Sequence, residues 1–345
     1  MKRKGYIFEE VTSLENCEQA VLAAIKHKKK SRYIHYVKEH YKEYGYELQQ
    51  TLLNGWEPHK PRYKVINEGT DRKRRELLIP SLRDHFVHTA VARVLDKHLT
   101  KRFYFYSCGS LPERGQTFAI KAVEGRLRKK RPKYCLLADI KGFYRNTKKG
   151  VVMDCLRRVF KDEKFLELNE NILDQMGDGL AIGFTVSHWY AHLVLSFVDA
   201  DIGKHGIFFV RFMDNFVALG SNKRKLHGLL NALKLALDKF GLWLKGDYQI
   251  FPIKSRMVEF LSYRLDHSKT IMRKPLMIRI SRRLRRSKGR LDAHTARVIM
   301  SYMGTLKYCD SYNFRRNYVY PNVSIKLCRR LVSDADKKRL LWGAA

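Results

Sequence analysis

The sequence contains no apolar run long enough to cross a bilayer. A membrane-spanning helix needs about 20 consecutive, predominantly apolar residues, and no stretch of that kind occurs in the 345 residues. Residues 1–6 are largely basic and lack the apolar stretch of a secretory signal. These absences predict a cytoplasmic protein without a membrane partner.

Cysteine is scarce and scattered. None of the six cysteines stands in the Cys-x-x-Cys spacing of common zinc sites, and they are too sparse for the disulfide framework of a small secreted domain. The pattern predicts free thiols in a reducing compartment, and the residues concerned are Cys17, Cys108, Cys135, Cys155, Cys309 and Cys328.

Acidic residues are few relative to basic ones. The chain has 34 Asp and Glu against 69 Lys and Arg, which gives a formal net charge of +35. Such an excess favours a polyanionic partner, because neutralising phosphates releases condensed counterions. Hydrophobic residues make up 45% of the chain, which excludes a disordered basic tail. An anionic membrane surface is the plainer alternative to nucleic acid.

The sequence also lacks internal repeats, Gly/Ser linkers and low-complexity tracts. We therefore expect consecutive subdomains in one body. Residues 11–53 have a helical pattern and include a basic run at 26–30, for which a solvated face and a phosphate contact are both open. Pro58 and Pro61 mark a break after this segment.

Two apolar strands are predicted to carry acids at their ends. Residues 134–140 form an apolar run that ends at Asp139, and residues 209–219 read as a hairpin with Asp214 at its tip. Two carboxylates held rigidly on neighbouring strands suit Mg²⁺ or Mn²⁺, the ions that nucleotidyl transfer uses in pairs. An Asp at a strand end is more often a turn former, so neither residue alone is specific.

Four short motifs follow one another along the chain. They are Leu-Ala-Asp-Ile-Lys-Gly-Phe-Tyr (137–144), Gly-Leu-Ala-Ile-Gly-Phe-Thr-Val-Ser-His (179–188), Arg-Phe-Met-Asp-Asn-Phe (211–216) and Phe-Leu-Ser-Tyr (260–263). Their sequence and order resemble those of the bacterial reverse transcriptase family. The likeness covers roughly residues 60–310 and is closest to diversity-generating retroelement enzymes and related unclassified bacterial enzymes, some of them associated with phage defence.

The resemblance implies a role for each motif. Asp139 and Asp214, with the Ile140 carbonyl, would bind Mg²⁺ or Mn²⁺, and Asn215 completes the catalytic hairpin. Residues implied in nucleotide binding are Arg75, Phe143, Tyr144, Gly183 and His188. Those implied in gripping the primer are Phe260, Leu261 and Tyr263. The basic segment that follows offers nucleic-acid contacts through Arg279, Arg282, Arg283 and Arg286.

Plainer interpretations stand beside these roles. Tyr144 also fits as a core aromatic, Arg75 as a surface charge, and Gly183 as a turn before a helix. His188 replaces the usual glutamine of its motif, either to hydrogen-bond the nucleotide pair or to pack beside Trp189. The basic segment around 279–290 also fits as a solubilising surface.

The hairpin departs from the usual aromatic-x-Asp-Asp. Asn215 keeps the shape of aspartate without its charge, which weakens any indirect hold on metal. Asp214 is the direct ligand in the family, so one hairpin carboxylate can suffice. An Asp-to-Asn exchange is also the usual way to silence such an enzyme.

The expected fold is therefore α+β, in the right-hand arrangement of fingers, a ferredoxin-like antiparallel palm and a small helical thumb. The expected boundaries are 1–57 for a basic helical extension, 58–133 for fingers, 134–265 for palm and 266–345 for thumb and tail.

The resemblance implies an RNA-templated DNA polymerase, bacterial or phage-encoded. Its implied partners are a structured RNA template, a DNA or RNA primer, dNTPs and an accessory protein subunit. Three alternatives stay open. They are a silent polymerase fold that scaffolds RNA, a template-independent terminal transferase of phage defence, and a basic nucleic-acid-binding protein of unrelated fold.

Overall fold

A five-stranded sheet carries both acid-bearing segments. In the computed structural model, which describes residues 3–26, 28, 31–68 and 73–341, the strand order is β3-β5-β6-β4-β7. All neighbours are antiparallel except β3 and β5. The strands are β3 (Ser107–Cys108), β4 (Tyr134–Asp139), β5 (Phe208–Phe212), β6 (Asn215–Gly220) and β7 (Gln249–Pro252).

Alternation along the strands gives the sheet two buried faces. Successive strand residues point to opposite faces, so Leu136 and Phe216 join one hydrophobic core while Cys135 and Val217 join another. The near-continuous apolar sequences of β4, β5 and β6 are explained by this two-sided burial.

Helices from both halves of the chain cover the first face. The N-terminal helices share their core with the rest of this layer, since Val21, Phe86 and Trp189 belong to one buried cluster. The helices of this layer are α1 (Ile7–Thr12), α2 (Leu14–Ile25), α3 (Arg32–Glu39), α4 (Tyr41–Leu53), α5 (Leu82–Leu99), α7 (Phe143–Asn146), α8 (Lys149–Val159), α9 (Glu163–Met176), α10 (Ser187–Gly203) and α11 (Lys223–Asp238).

The second face is covered by one helix from the first half of the chain and by the C-terminal elements. Tyr263 and Ile280 are buried in this core, which joins a small antiparallel sheet to the helices after it. The elements are α6 (Gln116–Lys130), β8 (Val258–Phe260), β9 (Tyr263–Leu265), β10 (Thr270–Met272), α12 (Lys274–Arg286), α13 (Ala293–Leu306), α14 (Tyr312–Phe314) and α15 (Ile325–Leu341).

A two-stranded antiparallel ribbon completes the architecture. Its strands are β1 (Arg62–Glu68) and β2 (Lys73–Ile79), and Arg75 pairs with Ile66 across it. A 3₁₀ turn, Thr100–Arg102, follows α5, and a π-helical turn, Arg315–Val319, follows α14. Within the described ranges, no helix is both long and apolar enough to cross a membrane.

Local structure in two segments adds detail that the sequence pattern lacks. The helical pattern of residues 11–53 is confirmed, but as four helices, α1 beginning at Ile7. The run 258–265 is a hairpin, because Leu261 adopts a left-handed backbone (φ 54°) between β8 and β9. That turn places Leu261 at the tip of the hairpin.

Candidate active site

The two predicted carboxylates come together at one end of the sheet. Asp139 is the last residue of β4 and lies opposite Asn215, the first residue of β6. The Ile140 amide donates a hydrogen bond to the Asp214 carbonyl oxygen (3.1 Å). The end of β4 and the tip of the β5–β6 hairpin are thus joined through the backbone.

The hairpin turn itself needs an unusual backbone. Met213 adopts φ 53°, and Phe212 pairs with Asn215 on either side of the two-residue loop. Hairpins of this length favour a positive φ in the loop, because it matches the strand twist. The Met213 amide is also fixed by a hydrogen bond to the Cys108 carbonyl oxygen (2.9 Å). The loop therefore presents Asp214 from a backbone tied to three strands.

The electrostatics of the pair favour a bound cation. Burial raises the pKa of the Asp214 carboxyl, and the nearby charge of Asp139 raises it further. Lys245 and Arg75 oppose both effects and lower this pKa. Two carboxylates in a partly dry site repel one another, so positive charge supplied to the pair stabilises it.

Asp139 presents its two carboxylate oxygens differently. Oδ2 lies 2.8 Å from the Lys245 ammonium nitrogen, whereas Oδ1 is buried and has no hydrogen-bond partner among the described residues. A buried, unsatisfied carboxylate oxygen is costly. An unpartnered oxygen on the acid whose charge acts on Asp214 fits a divalent ion, so the donor set is suited to Mg²⁺ or Mn²⁺.

No group of three or more His, Cys, Asp or Glu side chains able to hold a metal occurs within the described ranges. Two carboxylates are nevertheless the usual protein contribution to a Mg²⁺ site that is completed by substrate phosphates and water. The residues that would hold the ions are Asp139 and Asp214, as the sequence predicts, with the Ile140 carbonyl as a further candidate.

Asn215 occupies the place of the second hairpin acid. Its side-chain amide lies 3.3 Å from Asp214 Oδ1, to which it can donate. An aspartate there would instead add a third negative charge beside Asp139 and Asp214. Asparagine thus lowers the repulsion within the site and also lowers its attraction for cations.

A buried ion pair supports the hairpin from beneath. The Arg211 guanidinium donates to Asp199 on α10 through Nε (2.8 Å to Oδ1) and Nη2 (2.6 Å to Oδ2). It also donates to Ser107 Oγ (3.0 Å) and to the Met213 carbonyl oxygen (3.1 Å). Both charged side chains are at most 3% exposed. Sequence reasoning missed this pair; its signal is a lone arginine inside an apolar strand.

The two aromatic residues after Asp139, Phe143 and Tyr144, differ in burial. The Phe143 side chain is buried in the core and contacts Tyr144 edge-on, with ring centroids 5.8 Å apart. Tyr144 is partly exposed; burial raises its pKa, and the Asp214 charge raises it further. Tyr144 therefore lies near the acids, whereas Phe143 supports it from within.

Gly183 brings the β1–β2 ribbon to the site. It adopts φ 117°, and an added Cβ would lie 2.2 Å from the Leu78 carbonyl oxygen. The Leu78 amide also donates to the Ile182 carbonyl oxygen (3.0 Å). Because Leu78 and Arg75 share β2, this close approach helps to position Arg75, whose charge acts on Asp214.

Substituting Gly183 by alanine should destabilise this junction. We expect a loss of about 1–3 kcal/mol from backbone strain alone, with further loss as β2 moves away from residue 183. Urea unfolding measures the change. The matched control is Gly228→Ala in α11, where no atom lies within 4 Å of the added Cβ, so alanine should be neutral or stabilising. Equal effects of the two substitutions would contradict the assigned packing.

His188 lies near the start of α10. Its ring contacts Trp189 with centroids 4.9 Å apart, and burial lowers its pKa to about 4. The imidazole is thus neutral near pH 7. This contact is the one that the packing interpretation expects, and a hydrogen bond from His188 to the nucleotide pair stays a prediction.

The β8–β9 hairpin borders a cavity of about 460 Å³ beside the acids. Asp139, Asn215, Phe260 and Leu261 line it, together with basic side chains. Tyr263 is buried, and its hydroxyl donates to the Thr305 carbonyl oxygen (2.9 Å). Of the predicted primer-contacting residues, Phe260 and Leu261 therefore border the open space, while Tyr263 ties the hairpin to α13.

The predicted nucleic-acid arginines of α12 differ in their exposure to solvent. Arg279, Arg282 and Arg286 are exposed at spacings that place them on one face. Arg283 is partly buried, and its guanidinium lies 3.5 Å from Thr295 Oγ1. Three of the four are thus available to solvent, and the fourth joins α12 to α13.

Comparisons with known proteins identify the fold. No family model matches the chain. Protein YkfC from Escherichia coli K12 is 27% identical over 124 residues, which is 35% of this chain and 32% of that protein. The chain therefore spans about a third of the length of this relative.

Telomerase structures are similar to this chain over part of its length. Telomerase from Candida albicans, in complex with a fragment of telomeric RNA, has a TM-score of 0.51 and 13% identity, covering 76% of this chain and 56% of that one. Apo telomerase from Candida tropicalis, truncated from its C-terminal domain, scores 0.48 with 13% identity over 64% of this chain and 56% of that one. The chain has the right-hand polymerase fold, which confirms the expected α+β class.

Proposed function

We propose that this chain is an RNA-templated DNA polymerase that adds dNTPs to a primer 3′-hydroxyl. The observation that carries the proposal is the meeting of Asp139 and Asp214, where a buried carboxylate oxygen has no partner in the part of the chain that the structure describes. The right-hand polymerase fold supports the proposal, because polymerases of this fold generally use divalent metals.

Divalent ions bound by these carboxylates would activate the 3′-hydroxyl and stabilise the charge on the leaving pyrophosphate. The protein's own contribution is positional. The Arg211–Asp199 pair holds the hairpin in place, and the hydrogen bond from the Ile140 amide to the Asp214 carbonyl oxygen holds the Asp214 backbone next to the end of β4. Arg75 would bind the triphosphate, since a guanidinium fork suits phosphate oxygens. Tyr144 would exclude a ribose 2′-hydroxyl by its bulk.

Asn215 is compatible with this chemistry. Asp214 keeps its carboxylate, and the Asn215 amide sits within hydrogen-bonding distance of Oδ1. The proposed enzyme works with one hairpin acid and binds its ions more weakly than a site with two. Magnesium or manganese, dNTPs, an RNA template and a primer are its proposed ligands.

A second candidate is a polymerase fold that scaffolds RNA without catalysis. Two observations favour it: Lys245 forms an ion pair with one oxygen of Asp139, and residue 215 is an amide where the motif usually has an acid. Both features reduce the negative charge available to metal ions.

Primer extension distinguishes the candidates. A labelled primer is incubated with dNTPs and Mg²⁺ or Mn²⁺, with or without an RNA template, using the unaltered chain and Asn215→Asp. The proposal predicts metal-dependent extension that ends at the template terminus, at a higher level in Asn215→Asp. Growth without template would instead identify a terminal transferase. No extension by either protein would favour the scaffold.

The exposed face of α12 should provide phosphate contacts. In the triple variant Arg279→Gln, Arg282→Gln and Arg286→Gln, the slope of log affinity for primer–template against log salt should fall by roughly 2–3 units, because each phosphate contact contributes about 0.7–0.9. Fluorescence anisotropy at several salt concentrations measures the slope.

The control for this experiment removes the same charge elsewhere. Arg128, Arg157 and Lys204 each pair with a nearby carboxylate, so their triple replacement by glutamine should leave the slope nearly unchanged. A similar decrease in both triple variants would show that total charge, and not the α12 face, determines binding.

A further inference from the structure

The segment after α11 places a lysine directly on one of the catalytic acids. The Lys245 ammonium nitrogen lies 2.8 Å from Asp139 Oδ2, and the Lys245 amide donates to the Asp139 carbonyl oxygen (2.8 Å). Leu244 forms a bridge with Ile140, and the Lys141 amide donates to the Trp243 carbonyl oxygen (2.9 Å). Lys245 is therefore fixed at both its backbone and its side chain.

The ion pair engages only one of the two Asp139 carboxylate oxygens. Lys245 satisfies Oδ2 only, while Oδ1 stays buried and unpaired among the described residues. The Lys245 and Asp139 side chains are 37% and 27% exposed, so the pair is partly solvated. The same acid thus offers one oxygen to a resident cation and the other to an incoming one.

Charge at the site is correspondingly low. Asp139 and Asp214 contribute two negative charges, Lys245 adds a positive charge on Asp139, Arg75 adds another that acts on Asp214, and Asn215 contributes none. A divalent ion here meets the repulsion of a close ammonium as well as the attraction of the acids. In the free protein, the surroundings of such an ion carry little negative charge. A bound nucleoside triphosphate would supply the missing negative charge.

We propose that Lys245 makes divalent-ion binding depend on the nucleotide. This inference rests on the proposed function and concerns regulation of the same site. The free protein binds metal weakly because Lys245 neutralises Asp139, and metal is retained when the triphosphate adds its oxygens and charge. Lys245 acts here as a positioning residue that sets the affinity of the acid pair.

Direct metal titration tests the proposal. Free Mn²⁺ is followed by electron paramagnetic resonance in the unaltered chain, Lys245→Met and Lys245→Arg, each with and without a dNTP. Without nucleotide, Lys245→Met should bind Mn²⁺ on the order of tenfold more tightly, as expected for removing one unit charge at short range in a partly solvated site. With a dNTP present, the difference in Mn²⁺ affinity between Lys245→Met and the unaltered chain should become smaller. Lys245→Arg should resemble the unaltered chain, because it keeps the charge.

Two controls separate failure of this inference from failure of the proposed function. Lys234→Met removes a lysine whose ammonium bonds to the Tyr248 hydroxyl (2.9 Å), and it should leave Mn²⁺ affinity unchanged. Asp139→Asn should weaken binding; if it has no effect, the acid pair holds no metal and the proposed function fails as well. A different result overturns only the role of Lys245. In that case Asp139→Asn binds Mn²⁺ more weakly than the unaltered chain, and Lys245→Met binds it no more tightly than the unaltered chain.

Discussion

Replacing Asp214 by asparagine should reduce primer extension by roughly 1,000-fold or more. The substitution keeps the side-chain shape and removes the only carboxylate of the hairpin, since residue 215 is already an amide. Metal ions supply several kcal/mol of transition-state stabilisation in this chemistry, and each 1.36 kcal/mol corresponds to about tenfold in rate. Single-turnover extension under saturating primer–template and dNTP measures the loss.

The matched control is an acid in the cavity that Asp139 and Asn215 line. Asp247 lines the space beside Asp139 but is exposed and lies outside the acid pair. We expect Asp247→Asn to change the extension rate by less than about tenfold, because an exposed charge is screened by solvent. Comparable losses in Asp247→Asn and Asp214→Asn would show that the rate depends on the overall charge of the cavity, and not on a ligand at position 214.

Replacing Arg211 by methionine should destabilise the fold by about 3–5 kcal/mol. Removing one partner of a buried ion pair leaves the other charge uncompensated, and Asp199 would lose its three bonds to the guanidinium. The Met213 carbonyl oxygen would lose its donor at the same time, so the hairpin that presents Asp214 should loosen. Urea unfolding measures the stability.

A double variant tests the cause. Arg211→Met combined with Asp199→Leu removes both charges, and much of the lost stability should return, because apolar replacements of buried pairs are often tolerated. Extension activity should recover less than stability, since the bond to Met213 is absent in both variants. Additive stability losses in the double variant would contradict a direct pairing of the two charges.

The sequence predicted the parts of the site that lie on apolar strands. Asp139 and Asp214 follow buried strands, so periodicity and turn chemistry were sufficient to place each acid at a strand end. Their meeting at one edge follows from the antiparallel pairing of β4 with β6. The hairpin is confirmed, with Met213 and Asp214 as its loop residues.

Residues that act through tertiary contacts carried little local signal. Lys245 is one of many lysines, and only the bridge between Leu244 and Ile140 brings it to Asp139. Arg211 and Asp199 are 12 residues apart and meet because α10 packs on the sheet. Neither contact has a spacing that sequence patterns reveal.

A sequence motif also does not distinguish a side chain that could contact a ligand from a neighbouring side chain that only supports it. Phe143 and Tyr144 are neighbours in one motif, yet Phe143 is 2% exposed and packs in the core. Arg283 lies one helical turn after Arg279 in the same basic run, yet it is partly buried and its guanidinium lies near Thr295, whereas Arg279 is exposed. Burial, which depends on the whole fold, decides which member of each pair is available to a ligand.

Anomalous diffraction from manganese tests the central claim most directly. Crystals of the unaltered chain would be grown with a primer–template, a non-hydrolysable dNTP analogue and Mn²⁺. We predict an anomalous peak within about 2.0–2.3 Å of Asp139 Oδ1 and of an Asp214 carboxylate oxygen, the range for a hard divalent ion on oxygen ligands. A well-ordered nucleotide without manganese between these two acids would contradict the assignment of this site to metal-dependent nucleotidyl transfer.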